Sequence, residues 1–110
     1  LASALVLEAE RISGQVGVLT AVSNSNCGPE AIELRVAEAT AGGPAVVFVD
    51  MPCGSCFFAA MRVARARTDI RVVTGVNLPM LLDFVHNRTL PPVDGAARAA
   101  GKGTDAIRQG

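Results

Sequence analysis

The chain has 110 residues, half of them hydrophobic and 18% charged, which suits a single folded domain with an aliphatic core. Ten Lys and Arg residues balance ten Asp and Glu residues, so there is no basic excess for binding nucleic acid or an anionic membrane surface. No apolar run approaches the roughly 20 residues that span a bilayer, and we expect no membrane insertion. Three cysteines cannot form a complete internal disulfide set, which favours a reducing cytoplasm.

Helices and short apolar strands alternate along the chain. Apolar residues at 1, 5, 9 and 12 form a helical stripe that ends at Gly14, and Pro29 suits the first position of a second helix. The run VVFV at 46–49 is typical of a parallel strand covered on both faces. The predicted helices are 1–13, 29–41, 55–67, 78–88 and a last one from Pro91-Pro92 to the C-terminus. The predicted strands are 16–22, 46–49 and 70–75.

This order of elements predicts an α/β fold with a mostly parallel open sheet and helices on both faces. Such a fold normally opens with a strand, whereas this chain opens with a helix. Leu1 is not an initiator Met, and no signal-peptide pattern stands at the start. We therefore expect one domain over residues 1–110, with its first strand upstream of Leu1.

The polar loops that follow the predicted strands are the candidate site, because ligands of open α/β sheets bind at the carboxyl ends of strands. These loops are 23–28, 50–55 and 75–78. Asp50 follows VVFV directly, and the chain then turns into a helix at Ser55, whose N-terminal N–H groups suit an anion. A carboxylate beside an anion site is explained if it orients a histidine. The alternatives are that Asp50 accepts backbone hydrogen bonds in a turn and that Ser55 only caps the helix.

Two segments carry a family resemblance: VVFVDMPCGSCFFAA, beginning at Val46, and the block Gly75-Val76-Asn77-Leu78-Pro79-Met80-Leu81. Together they resemble the IIA components of the mannose family of the bacterial sugar phosphotransferase system. The second block matches the family pattern completely. The resemblance extends over essentially all 110 residues, since 1–15 resemble the family's first helix and 99–103 its last.

The resemblance implies a cytoplasmic phosphocarrier with phosphotransferase activity. It would accept a phosphoryl group from HPr on a histidine and pass it to a IIB protein or domain. The family histidine lies at the end of the first strand, which puts it a few residues upstream of Leu1. Asp50 matches the residue that orients this histidine, Gly54 and Ser55 match the phosphoryl-binding turn, and Asn77 matches the rim of the site. The resemblance also implies a homodimer, and it implies no cofactor and no metal.

Several positions depart from the family pattern. Cys53 stands in place of a glycine, Cys56 in place of a proline and Phe58 in place of an asparagine, which leaves the sugar class and the IIB partner open. His86 is the only histidine of the chain and lies near the end of the predicted helix 78–88. It matches no catalytic position of the family, and we expect a surface residue at the end of a helix.

Three other functions compete with the carrier. Cys53-Gly54-Ser55-Cys56 is a C-x-x-C at a strand-to-helix turn, the placement of a thioredoxin-like redox pair. Cys27, Cys53 and Cys56 could bind zinc with Asp50, but the second ligand pair that makes such signals strong is absent. Without an upstream histidine, the domain would be a non-catalytic regulatory module on the same scaffold.

Overall fold

The structure, a computed structural model, describes residues 1–25 and 28–110. Its helices begin and end close to the predicted positions, and the largest difference is at the C-terminus, where the last helix stops at Asp105. Gly14 ends the first helix in the left-handed conformation (φ 72°), and Pro29 is the first residue of the second. The elements are α1 (Ala2–Ser13), α2 (Pro29–Ala39), β1 (Ala45–Phe48), α3 (Ser55–Arg65), β2 (Ile70–Val73), α4 (Leu78–His86) and α5 (Pro92–Asp105).

The sheet of the described residues consists of β1 and β2, which pair in parallel with Ala45 opposite Ile70 and Phe48 opposite Val73. Because side chains alternate along a strand, the two faces of the sheet hold different core clusters. On one face, Val47 packs with Ile32 of α2 and Val63 of α3. On the other face, Val46 and Phe48 pack with α4 and α5. The predicted α/β fold with helices on both faces is confirmed.

The predicted strand at 16–22 is wrong for this structure, in which these residues form no strand. The side chains of VGVLTAV favour the β conformation, but a strand also needs a neighbouring strand to bond its backbone N–H and C=O groups. Neither β1 nor β2 pairs with the segment. Val22 nevertheless packs against the core cluster of α2 and α3, so the segment runs alongside the domain.

A groove separates this segment from β1. It has a volume of about 540 Å³, and its walls include residues 18–25, residues 44–50 and the beginning of α1. All four residues of β1 are only half-buried, whereas Ile70 and Val73 of β2 are buried. We call this space the β1 groove. It follows the edge of β1 that is not paired with β2.

Arg67 links the loop before β1 to the residues just before β2, at the amino ends of the two strands. Its guanidinium donates hydrogen bonds to the carbonyl oxygens of Thr40 (2.6 Å) and Gly43 (2.9 Å), and it pairs with Asp69 (2.8 Å). The hydrogen bond from Arg67 lowers the pKa of Asp69 below its ordinary value. The loop before β1 is thus tied to the start of β2. None of the helices in the described part of the chain is long and apolar enough to cross a bilayer.

Candidate functional site

The loops after β1 and β2 meet at the carboxyl end of the sheet. Asp50 follows β1 within two residues, and the N–H of Val76, three residues after β2, donates to the carbonyl of Val49 at 3.0 Å. Asp50, Cys56 and Val76 all line the β1 groove. The structure therefore brings the second and third predicted loops together at one end of this groove.

Asp50 is exposed, and its carboxylate receives no hydrogen bond or ion pair from any residue in the ranges 1–25 and 28–110. The alternative in which Asp50 accepts backbone hydrogen bonds within its own turn therefore has no support in these ranges. A carboxylate at the mouth of a groove with no internal partner is available to a group that enters the groove.

Gly54, not Ser55, is the N-cap of α3. Gly54 has φ 90° and ψ 174°, a conformation that favours glycine, although a side chain there would meet no atom within 4 Å. The alternative in which Ser55 caps the helix is wrong, because Ser55 is the first helical residue and is exposed. No side chain caps α3 and its first turn has no acidic residue. Its first N–H groups, which have no partner within a helix, are thus left for an anion.

Asn77 has a structural role in addition to the rim position that the family resemblance implies. Its Oδ1 accepts a hydrogen bond from the N–H of Met80 (3.1 Å), which makes it the N-cap of α4. Its Nδ2 donates to the carbonyl oxygen of Gly103 in α5, also at 3.1 Å. These bonds use the oxygen and one of the two amide hydrogens of Asn77, so its predicted contact with a phosphoryl group stays a prediction.

Gly103 completes this contact between α4 and α5. A Cβ atom at this position would lie 2.4 Å from both Cγ and Cε of Met80, and 3.1 Å from Oδ1 of Asn77. Since Met80 is buried, its side chain has little room to move away. A signal for the Asn77 cap was present in the sequence, because Asn followed by a helix with an early proline is a usual N-terminus. No sequence signal distinguishes Gly103 from the other glycines of α5.

The family model described as the fructose IIA component of the phosphotransferase system (PTS) matches residues 2–100. The chain belongs to this family. A curated relative, the sorbose-specific EIIA component of Klebsiella pneumoniae, is 33% identical over 91 residues, which cover 80% of this chain and 67% of that protein.

Two solved structures confirm the mannose-type IIA fold. The EIIA component from Streptococcus agalactiae superposes with a TM-score of 0.89 at 18% identity, covering 98% of this chain and 88% of that one. The mannose/sorbose-specific IIA subunit from Enterococcus faecalis has a TM-score of 0.83 at 22% identity, covering 97% and 84%. The predicted family resemblance is therefore confirmed. PTS IIA components are phosphotransfer proteins, and a phosphocarrier role in sugar uptake follows from the family.

In this IIA domain, His86 is the last residue of α4 and is exposed, and it is not among the residues that line the β1 groove. Its placement at a helix C-terminus on the surface agrees with the expectation from the sequence. The site beside Asp50 therefore contains no histidine from the described residues.

The cysteines of the C-x-x-C motif lie at the start of α3. Both are free thiols; Cys53 is exposed, and Cys56 is half-buried on the wall of the β1 groove. Cys27, the third ligand of the zinc alternative, lies outside the described residues. Within 1–25 and 28–110, no three His, Cys, Asp or Glu side chains are placed to hold a metal ion together. The IIA family accounts for the Gly75–Leu81 block, which a thioredoxin-like redox domain leaves unexplained.

Proposed function

We propose that this IIA domain accepts a phosphoryl group from HPr on a histidine upstream of Leu1 and passes it to a IIB protein or domain, in sugar uptake or its regulation. The observation that carries the proposal is the β1 groove, which ends beside the carboxylate of Asp50, a group with no hydrogen-bond or ion-pair partner among the described residues. Cytoplasmic location and a homodimer belong to the same proposal.

The edge of β1 along the groove favours a further strand. Ala45 and Val49 direct their N–H groups toward the β2 side, where they donate to Asp69 and Val73. Since alternate residues of a strand point their backbone groups to opposite edges, Val46 and Phe48 point theirs toward the groove. No strand of the described residues pairs with that edge. A strand in the groove would bond to Val46 and Phe48, and residues 18–25 lie on its other side.

The position of α1 supports the same strand. Leu1 and Ala2 are on the wall of the β1 groove, so residues just before them begin beside it. A parallel strand in the groove would end at the same edge of the sheet as β1, which is the edge that carries Asp50. A histidine at its end would then lie beside Asp50.

The chemistry requires positioning more than covalent assistance. Asp50 would accept the N–H of one imidazole nitrogen and fix the tautomer, which leaves the lone pair of the other nitrogen for attack on phosphorus. The new N–P bond forms while the N–P bond to the donor histidine of HPr breaks. The N–H groups at the start of α3 and the Ser55 hydroxyl would receive the phosphoryl oxygens. Transfer to IIB repeats these steps in the other direction.

The proposal is tested by incubating the full-length protein with phosphoenolpyruvate, enzyme I and HPr and measuring its intact mass. We expect one acid-labile phosphoryl group per chain. The variant His86→Asn is the matched control, and we expect it to be labelled as the parent is. Absence of labelling with a competent HPr, or loss of labelling in His86→Asn, would contradict the proposal, and the first result would favour the regulatory module.

A further inference from the structure

We propose that Cys53 and Cys56 form a reversible disulfide that slows phosphoryl transfer at this site. The inference rests on the proposed function, because it concerns the control of the same site. The four residues Cys53-Gly54-Ser55-Cys56 are called the CGSC turn below.

The two thiols of the CGSC turn flank the proposed phosphoryl-binding residues. Cys53 directly precedes the N-cap Gly54, and Cys56 is the second residue of α3, so Gly54 and Ser55 lie between them. Cys56 also lines the β1 groove together with Asp50. A bond between the two sulfurs would therefore enclose the start of α3, where the proposed site holds the phosphoryl oxygens.

The turn has the freedom that such a bond requires. A disulfide needs Cα atoms about 4.4–6.8 Å apart. Gly54 lies between the two thiols with φ 90°, and glycine tolerates backbone angles that other residues avoid, so the turn can adjust toward this separation. Gly54 and Ser55 are both exposed, so no packed side chain resists the change.

The solvent exposure of the two thiols decides which of them reacts first with an oxidant. Cys53 is exposed and Cys56 is half-buried, so Cys53 meets an oxidant first. With a small disulfide such as oxidised glutathione, the Cys53 thiolate attacks one sulfur, a mixed disulfide forms and one glutathione thiolate leaves. The Cys56 thiolate then attacks the Cys53 sulfur and releases the second glutathione thiolate. The protein loses two electrons, the oxidant gains them, and the two thiol protons end on the two glutathione molecules.

The closed turn would be a poor phosphoryl site. The disulfide places two sulfur atoms at the open end of α3 and fixes Gly54 and Ser55 in a ring. Both effects change where the N–H groups and the Ser55 hydroxyl lie. A misplacement of about 1 Å in a positioning group costs roughly 10²-fold in rate, and we expect oxidation to slow transfer by about 10- to 100-fold.

The disulfide itself is tested without any phosphoryl transfer. The full-length protein is equilibrated in glutathione redox buffers and alkylated, and its cysteine peptides are mapped by mass spectrometry. We expect a Cys53–Cys56 disulfide that dithiothreitol reverses, in the parent and in the control variant Cys27→Ser. Alkylation of both thiols at every redox ratio, a glutathione adduct alone, or a disulfide to Cys27 would each overturn the proposal.

The switch is tested by the rate of phosphorylation by HPr in the oxidised and the reduced protein. We expect dithiothreitol to restore the rate, and the double variant Cys53→Ser/Cys56→Ser to be insensitive to oxidation. Equal rates for the oxidised and reduced parent would overturn the switch. If the reduced protein accepts no phosphoryl group, the proposed function fails and the switch with it, whereas the mapped peptides alone still decide whether the disulfide forms.

Discussion

The two sides of the small sheet differ in how the chain covers them. On the β2 side, α5 packs against β2 and against α4, and Asn77 joins α4 to Gly103. On the other side, β1 borders a groove of about 540 Å³, and the facing segment 18–25 has no strand pairing. We call these the closed side and the open side.

Most of the proposed site belongs to the open side. Asp50 and Cys56 line the β1 groove, and Cys53 and the first residues of α3 adjoin them along the chain, all exposed or half-buried. Asn77, at the predicted rim of the site, belongs to the closed side. The closed side supplies the rigid frame, because its contacts are buried and specific. The difference indicates that stability and phosphoryl transfer can be altered separately in this domain.

The largest effect is expected for Asp50→Asn, which alters the open side alone. An amide in place of the carboxylate no longer stabilises the imidazole tautomer that transfer needs, and the analogous loss in other enzymes reaches about 10⁴-fold. We expect transfer from HPr to slow by roughly 10²- to 10⁴-fold with an unchanged melting temperature. Asp105→Asn, at the exposed end of α5, is the control and leaves the rate unchanged. An Asp50→Asn rate equal to the parent's would remove Asp50 from the site.

On the closed side, Gly103→Ala introduces a Cβ that overlaps Met80. Overpacking of this kind costs about 1–3 kcal/mol of the free energy of unfolding, measured by urea denaturation. Gly101→Ala is the matched control in the same helix, since a Cβ there meets nothing within 4 Å. We expect the control to gain roughly 0.5–1 kcal/mol, because alanine favours the helix. Equal effects of the two substitutions would show that the contact of α5 with Met80 is not tight.

The contacts between α4 and α5 could not be predicted from the sequence. Local signals such as Gly14, Pro29 and Pro91-Pro92 were sufficient to predict five helices, and the Gly75–Leu81 block was sufficient to predict the family. The strand at 16–22 was predicted from side-chain preference, but pairing depends on a neighbour that preference does not report. Asn77 was assigned by resemblance to the rim of the site, whereas its hydrogen bonds to Met80 and Gly103 depend on how α5 packs.

Arg67→Ala affects both sides, because it removes the hydrogen bonds to Thr40 and Gly43 at the amino ends of the strands. We expect a loss of about 1–3 kcal/mol in the free energy of unfolding, since hydrogen bonds from charged groups to partly buried carbonyls are lost. Arg65→Ala, an exposed residue of α3, is expected to stay within about 0.5 kcal/mol of the parent. If both variants unfolded at the same urea concentration, the Arg67 contacts would not tie the strand starts together.

The smallest effect is the pH dependence from Asp69. Its folded pKa is lowered by the hydrogen bond from Arg67, so its contribution to stability is present above the unfolded pKa, near 3.8, and is lost as pH falls through the folded pKa. Asp69→Asn should therefore lower the melting temperature slightly at pH 7, and by progressively less as the pH falls below 3.8. In the Arg67→Ala background the same substitution should have no pH-dependent effect. A pH dependence that persists in that background would assign the shift to another partner.

The open side itself is tested most directly by amide hydrogen exchange of Val46 and Phe48 in the full-length protein, followed by NMR. If a strand upstream of Leu1 occupies the β1 groove, both amides are hydrogen-bonded and exchange as slowly as those of Val47 and Val49, which face β2. If Val46 and Phe48 exchange at the rate of exposed amides while Val47 and Val49 stay protected, β1 is an edge strand in the whole protein. That result would contradict the placement of the histidine beside Asp50.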